Sequence, residues 1–171
     1  KKCAPLFKPV ILELGGKDPM IILNDADINR SVEAAIWGGL SNAGQTCISV
    51  ERIYVQQEIY LQVVTKLSDA IKEISSGEGD TCLGAISVDV SMEKIKMQIK
   101  DARDNADVVE GSADAGCFIP PTLVVNPPST AKILQDETFG PVITIQPFQS
   151  DEEAISLANM TGYGLSASIF G

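Results

Sequence analysis

The chain has no histidine among its 171 residues. Ser-His-Asp and Cys-His catalysis are therefore both excluded. Any nucleophile must be activated by a carboxylate, a lysine, a dipole or water. Positive charge is also scarce: 13 Lys and Arg stand against 23 Asp and Glu, a net charge of −10. That balance argues against a nucleic-acid partner, whose phosphates need a basic surface, and against docking on an anionic membrane. No apolar run approaches the roughly 20 residues needed to span a bilayer. The start, Lys1-Lys2-Cys3-Ala4-Pro5, lacks the apolar stretch of a signal peptide. Cysteine is limited to positions 3, 47, 82 and 117, with no C-x-x-C pair. Without histidine these make no zinc set, so no metal site is expected. Their spacing fits reduced thiols in a cytoplasmic setting better than a disulfide framework.

The chain does have the means to build a core. Apolar residues make up 44% and charged residues 21%, an ordinary globular balance. Short branched runs at 9–14, 19–23, 52–55, 107–110, 121–125, 141–145 and 165–170 predict strands. Between them, apolar residues at helical spacing predict helices. The first is capped by Asp27, carries Ile28, Val32, Ala35, Ile36 and Leu40 on one face, and frays at Gly38-Gly39. The second runs over about 58–74 and the third over about 91–105. The fourth starts at Ser150 and Glu153, which have capping-box spacing, and runs through Asn159. The segments 75–80 and 111–116 predict loops. Strands alternating with helices give an α/β fold with a mostly parallel sheet flanked by helices. Residues 1–171 are expected to form a single domain cut from something longer at both ends.

Three constellations carry chemistry. Asn42-Ala43-Gly44-Gln45-Thr46-Cys47 sets a thiol just past a helix break, where backbone N–H groups can favour a thiolate. Leu12-Glu13-Leu14-Gly15-Gly16-Lys17 sets a carboxylate directly before a glycine pair. Asp136-Glu137-Thr138-Phe139-Gly140-Pro141 is the third. Taken singly, each has an ordinary reading. Cys47 is then a packed or incidental thiol, as Cys3, Cys82 and Cys117 are read; Glu13 is a surface charge; Phe139 is core. Trp37 is read as a packing residue.

Together with Arg52-Ile53-Tyr54-Val55 and Tyr163-Gly164-Leu165, and in this order, these motifs resemble the aldehyde dehydrogenase superfamily over nearly the whole chain. The resemblance implies an oxidoreductase that converts an aldehyde to a carboxylic acid with NAD or NADP. It makes Cys47 the nucleophile, passing through a thiohemiacetal and a thioester, and Glu13 the general base that activates the deacylating water. It assigns Glu137 to the nicotinamide ribose and Phe139 to the nicotinamide, and gives Lys17 no chemical role. Partial burial is expected to raise the pKa of Glu13. The main dinucleotide-binding domain is absent from the chain, and residues 1–14 correspond to its last strand. The isolated segment is therefore expected to be inactive and its parent to be a homo-oligomer acting on a small aldehyde. Cys47-Ile48-Ser49-Val50-Glu51-Arg52 departs from the commoner family sequence, and those positions are expected near the substrate. Two other readings share the motifs: a non-catalytic structural or assembly module, and a CoA-dependent acylating enzyme.

Overall fold

Hydrophobic periodicity becomes backbone structure at nearly the places it marks. A computed structural model describes residues 2–171, so Lys1, the first residue of the expected domain, lies outside it. β1 (Asp18–Ile22) is buried along its length. The Asp27 carboxylate caps α1 (Ile28–Leu40), accepting from the amides of Asn29 at 2.9 Å and Arg30 at 3.1 Å. β2 (Val50–Gln56) leads to α2 (Tyr60–Lys72), which turns Val63, Leu67 and Ile71 inward. β3 (Ser75–Ser76), α3 (Asp89–Asn105), β4 (Asp107–Glu110), β5 (Ser112–Ala113), β6 (Thr122–Val125) and β7 (Val142–Phe148) follow. Ser150 caps α4 (Asp151–Ala158), its hydroxyl accepting from the Glu153 amide at 3.3 Å. β8 (Ser168–Phe170) is the last strand.

Six strands form the main sheet in the order β4-β6-β7-β2-β1-β8. Every neighbouring pair is parallel except β4 with β6. The expected α/β fold with a mostly parallel, helix-flanked sheet is therefore what forms. Strand alternation splits the apolar side chains between two faces. Met20, Ile22, Ile53 and Val55 join the large core shared with α1, α2 and α3. Ile21, Tyr54 and Phe148 face the other way and pack with Ala154 of α4.

Several local expectations are corrected. Residues 9–14 form no strand: no sheet partner lies beside them among the described residues, and Ile11 is 90% exposed. A branched run needs a neighbour for its N–H and C=O groups before it becomes a strand. α1 does not fray at Gly38-Gly39 but continues to Leu40, because the missing side chains admit close packing. A Cβ on Gly39 would lie 2.5 Å from Ile143 Cδ1. Trp37 is not a packing residue; it is 77% exposed on the outer side of that helix. The presumed loops at 75–80 and 111–116 contribute β3 and β5, which pair in parallel. Of the two readings given for Cys3, Cys82 and Cys117, packed or incidental, their exposure leaves the incidental one.

Candidate active site

Three loops meet at the amino-terminal ends of three adjacent strands. Residues 13–17 enter β1, residues 42–49 enter β2 and residues 136–141 enter β7. Between them lies a cleft of about 450 Å³ lined by Glu13, Leu14, Gly15, Gln45, Thr46, Cys47, Glu137 and Phe139. All four residues singled out from the sequence (Glu13, Cys47, Glu137, Phe139) thus share one cavity.

The Cys47 loop is shaped by unusual backbone. Asn42 and Ala43 both have φ of 54°, and Gly44 follows at φ +70°. A left-handed alanine costs about 1–2 kcal/mol, so tertiary packing must hold it there. Gly44 supplies that packing: a Cβ on it would fall 2.1 Å from the Gly140 carbonyl oxygen. Gln45 ties the loop to the approach of α3. Its amide nitrogen donates to the Ala85 carbonyl at 3.1 Å, and its amide oxygen accepts from the Ser87 N–H at 2.8 Å. A turn closed by Ser49 N–H on the Thr46 carbonyl at 3.0 Å places Cys47 and Ile48 at its centre. Cys47 is half-buried at the cleft wall.

The glycine pair brings the first loop against the other two. Gly16 N–H donates to Glu137 Oε1 at 2.9 Å. A Cβ on Gly16 would sit 2.0 Å from the Cys47 carbonyl oxygen, so no other residue fits without moving the Cys47 backbone. Glu13 lies at the cleft mouth but is exposed, contrary to the partial burial expected. The segment that carries it has no covering layer among the described residues.

Behind the cleft lies a buried polar network that sequence reasoning left without a role. Lys17 Nζ pairs with Glu51 Oε2, both side chains being almost inaccessible. Lys17 also donates to Thr138 Oγ1 at 3.0 Å. Burial holds the Lys17 ammonium below its usual pKa, against the opposing pull of Glu51. Arg52 is equally buried. Its guanidinium donates to the Lys17 carbonyl at 2.9 Å and to the Leu157 and Ala158 carbonyls at 2.9 Å, capping α4. Glu51 and Arg52 therefore do not face substrate space, as their place near Cys47 suggests; both point into the protein. The signal for this was present, because two charges inside the run Val50–Gln56 need buried partners.

Glu137 and Phe139 are compatible with the dinucleotide that the resemblance implies. Glu137 is half-buried, with Oε1 fixed by Gly16 and no described protein donor on Oε2, which leaves an acceptor for ribose hydroxyl groups. Phe139 offers a half-buried ring on the same wall.

Residues 1–171 match the aldehyde dehydrogenase family. The chain belongs to that family. A salicylaldehyde dehydrogenase from Pseudomonas sp. (strain C18) is 38% identical over the whole of this chain and 36% of its own length. The NADP(+)-type succinate-semialdehyde dehydrogenase of Escherichia coli (strain K12) is 36% identical over 98% of this chain and 36% of its own. Among solved structures, lactaldehyde dehydrogenase from Escherichia coli superposes with a TM-score of 0.89 at 36% identity, covering 98% of this chain and 37% of that one. A betaine aldehyde dehydrogenase from Staphylococcus aureus, solved with NAD+, gives 0.87 at 35% identity, covering 98% and 35%. The chain thus spans about 36% of the length of the curated relatives it matches. No helix among the described residues of this aldehyde dehydrogenase family chain is long and apolar enough to cross a membrane.

Proposed function

We propose that the protein carrying this chain oxidises a small aldehyde to a carboxylic acid through a covalent intermediate on Cys47. The observation that carries the reading is the joint lining of one cleft by Glu13, Cys47, Glu137 and Phe139. The Cys47 thiolate attacks the aldehyde carbonyl carbon and forms a thiohemiacetal. The Cys47 backbone N–H stabilises the oxygen on which charge develops. Glu137 and Phe139 hold the nicotinamide end of NAD or NADP, which when bound supplies the hydride acceptor. Loss of hydride leaves a thioester on Cys47. Glu13 then takes a proton from water; the hydroxide adds to the thioester carbonyl and the thiolate leaves with the acid released.

A base at Glu13 favours this hydrolytic route over transfer to CoA. A purely structural module needs neither a thiol nor a carboxylate in one cavity. Four free cysteines fit a reducing, cytoplasmic setting. Homo-oligomerisation of the parent rests on the family resemblance. The test uses the full-length protein with a panel of aldehydes, salicylaldehyde and succinate semialdehyde included. Acid quenching during turnover is expected to trap an acyl mass on the peptide containing Cys47, and Cys47→Ala to bring NAD(P)H formation down to background. Turnover that survives Cys47→Ala overturns the reading.

A further inference from the structure

We propose that Glu51 is the positioning residue of the cofactor-facing loop, its buried carboxylate holding the amides of Thr138 and Phe139 so that Glu137 and Phe139 face the cleft. The proposal rests on the dinucleotide-dependent reading of that cleft. Glu51 is 2% exposed, and its two oxygens are saturated by protein donors. Oε1 accepts from Thr138 N–H at 3.1 Å and Phe139 N–H at 2.9 Å; Oε2 accepts from Thr138 N–H at 2.9 Å and from Lys17. Two successive amides turned onto one carboxylate form a small anion-binding concavity. Here the anion is internal. Phe139 takes the left-handed conformation, φ 56°, which an aromatic residue adopts only when its surroundings impose it.

The strand itself accounts for the direction of the Glu51 side chain. Asp18 pairs with Val50 and Pro19 with Arg52, so the register slips by one at Glu51, as it does at a β-bulge, and Glu51 has no partner on β1. Bulges beside sites re-aim a side chain in this way. Glu51 also links the parts of the chemistry. It sits on the strand that Cys47 leads into, pairs with the lysine that follows the glycine pair, and holds the loop that carries Glu137. Glu51 touches neither substrate nor dinucleotide; it acts through the Thr138–Phe139 backbone.

The test compares two variants of the full-length protein with wild type. Lys17→Met/Glu51→Leu replaces the buried pair by apolar side chains of similar length without leaving a lone charge. Glu51→Asp keeps the charge for Lys17 but withdraws the carboxylate by one methylene. Hydrogen exchange at the Thr138 and Phe139 amides is expected to quicken about 10- to 100-fold in the double variant, the scale of a lost charge-assisted hydrogen bond. The NAD(P) dissociation constant, by calorimetry, is expected to rise at least about tenfold by the same argument, while the Cys47 alkylation rate stays within about twofold. Glu51→Asp is expected to move exchange and affinity in the same direction by less, and it decides the matter if the double variant does not fold. Unchanged exchange or affinity overturns the proposal, as does an equal disturbance of Cys47, which marks a general structural role. A wild type that binds dinucleotide but oxidises no aldehyde sinks the functional reading alone, because exchange and affinity are read without turnover.

Discussion

At the scale of single residues, Glu13 and Cys47 come from separate loops and line one cleft, where two glycines admit close backbone approach. Replacing Glu13 with glutamine keeps the shape of the side chain and removes the proposed base. In the full-length protein, Glu13→Gln is expected to leave the first hydride transfer intact and to slow the later turnover by roughly 10²–10⁴. Rapid mixing should show a burst of NAD(P)H near one per site followed by a slow phase. A lost burst with dinucleotide binding intact would refute the role. The four residues of the cleft were legible in the sequence because their motifs are contiguous. The burial of Glu51 was signalled by its place inside β2, but its partners Lys17 and Thr138 were not, because those contacts join positions far apart in the chain. The exposure of Glu13 was equally hidden, since burial depends on what covers a segment and not on its own composition.

At the scale of elements, the helices carry most of the stability argument. α2 lays Val63, Leu67 and Ile71 into the core, and its first residue, Tyr60, is buried with a hydroxyl that has no partner among the described residues. Burial, with a smaller push from Asp107, raises the Tyr60 phenol to about 12. The unfolded chain ionises that phenol near its ordinary value of 10.0, and the folded chain resists. The folded state therefore binds more protons in this window, and stability falls as pH rises from 10 towards 12. Tyr60→Phe is expected to flatten that fall without loss of stability at neutral pH, as read by urea denaturation at stepped pH. Equal slopes in both proteins would show that another group governs the alkaline limit. Helix and strand positions were largely legible, since periods of 3.6 and 2 are local properties. The pair β3 and β5 was not, because two-residue strands leave no pattern and exist only by pairing.

At the scale of the whole molecule, the main sheet carries apolar packing on both faces, while the segment Leu6 to Leu14 is bare. Leu6, Phe7, Val10, Ile11, Leu12 and Leu14 are all exposed. An apolar strip of this kind favours association. The 171-residue chain alone is expected to fold cooperatively, to self-associate in sedimentation experiments, and to oxidise no aldehyde. Holding the reactants in place accounts for roughly 7–11 kcal/mol of a barrier, and the proposed roles of Glu137 and Phe139 reach only the nicotinamide end of a dinucleotide. Turnover by the isolated chain that disappears with Cys47→Ala would show it to be autonomous.

Placing the cleft at the starts of β1, β2 and β7 also bears on folding kinetics. The link from Gly16 to Glu137 spans 121 positions, and Thr138 lies 87 from Glu51. Parallel pairing over such separations must close long loops before it gains any contact. The helices and the antiparallel pair β4–β6 involve nearer neighbours and can form first. Cys47 and Glu13 thus come to line one cleft only when the central strands have all docked, which makes the cleft a late product of folding. A chain stalled before that point carries Cys47 on an unclosed loop, apart from Glu13 and Glu137.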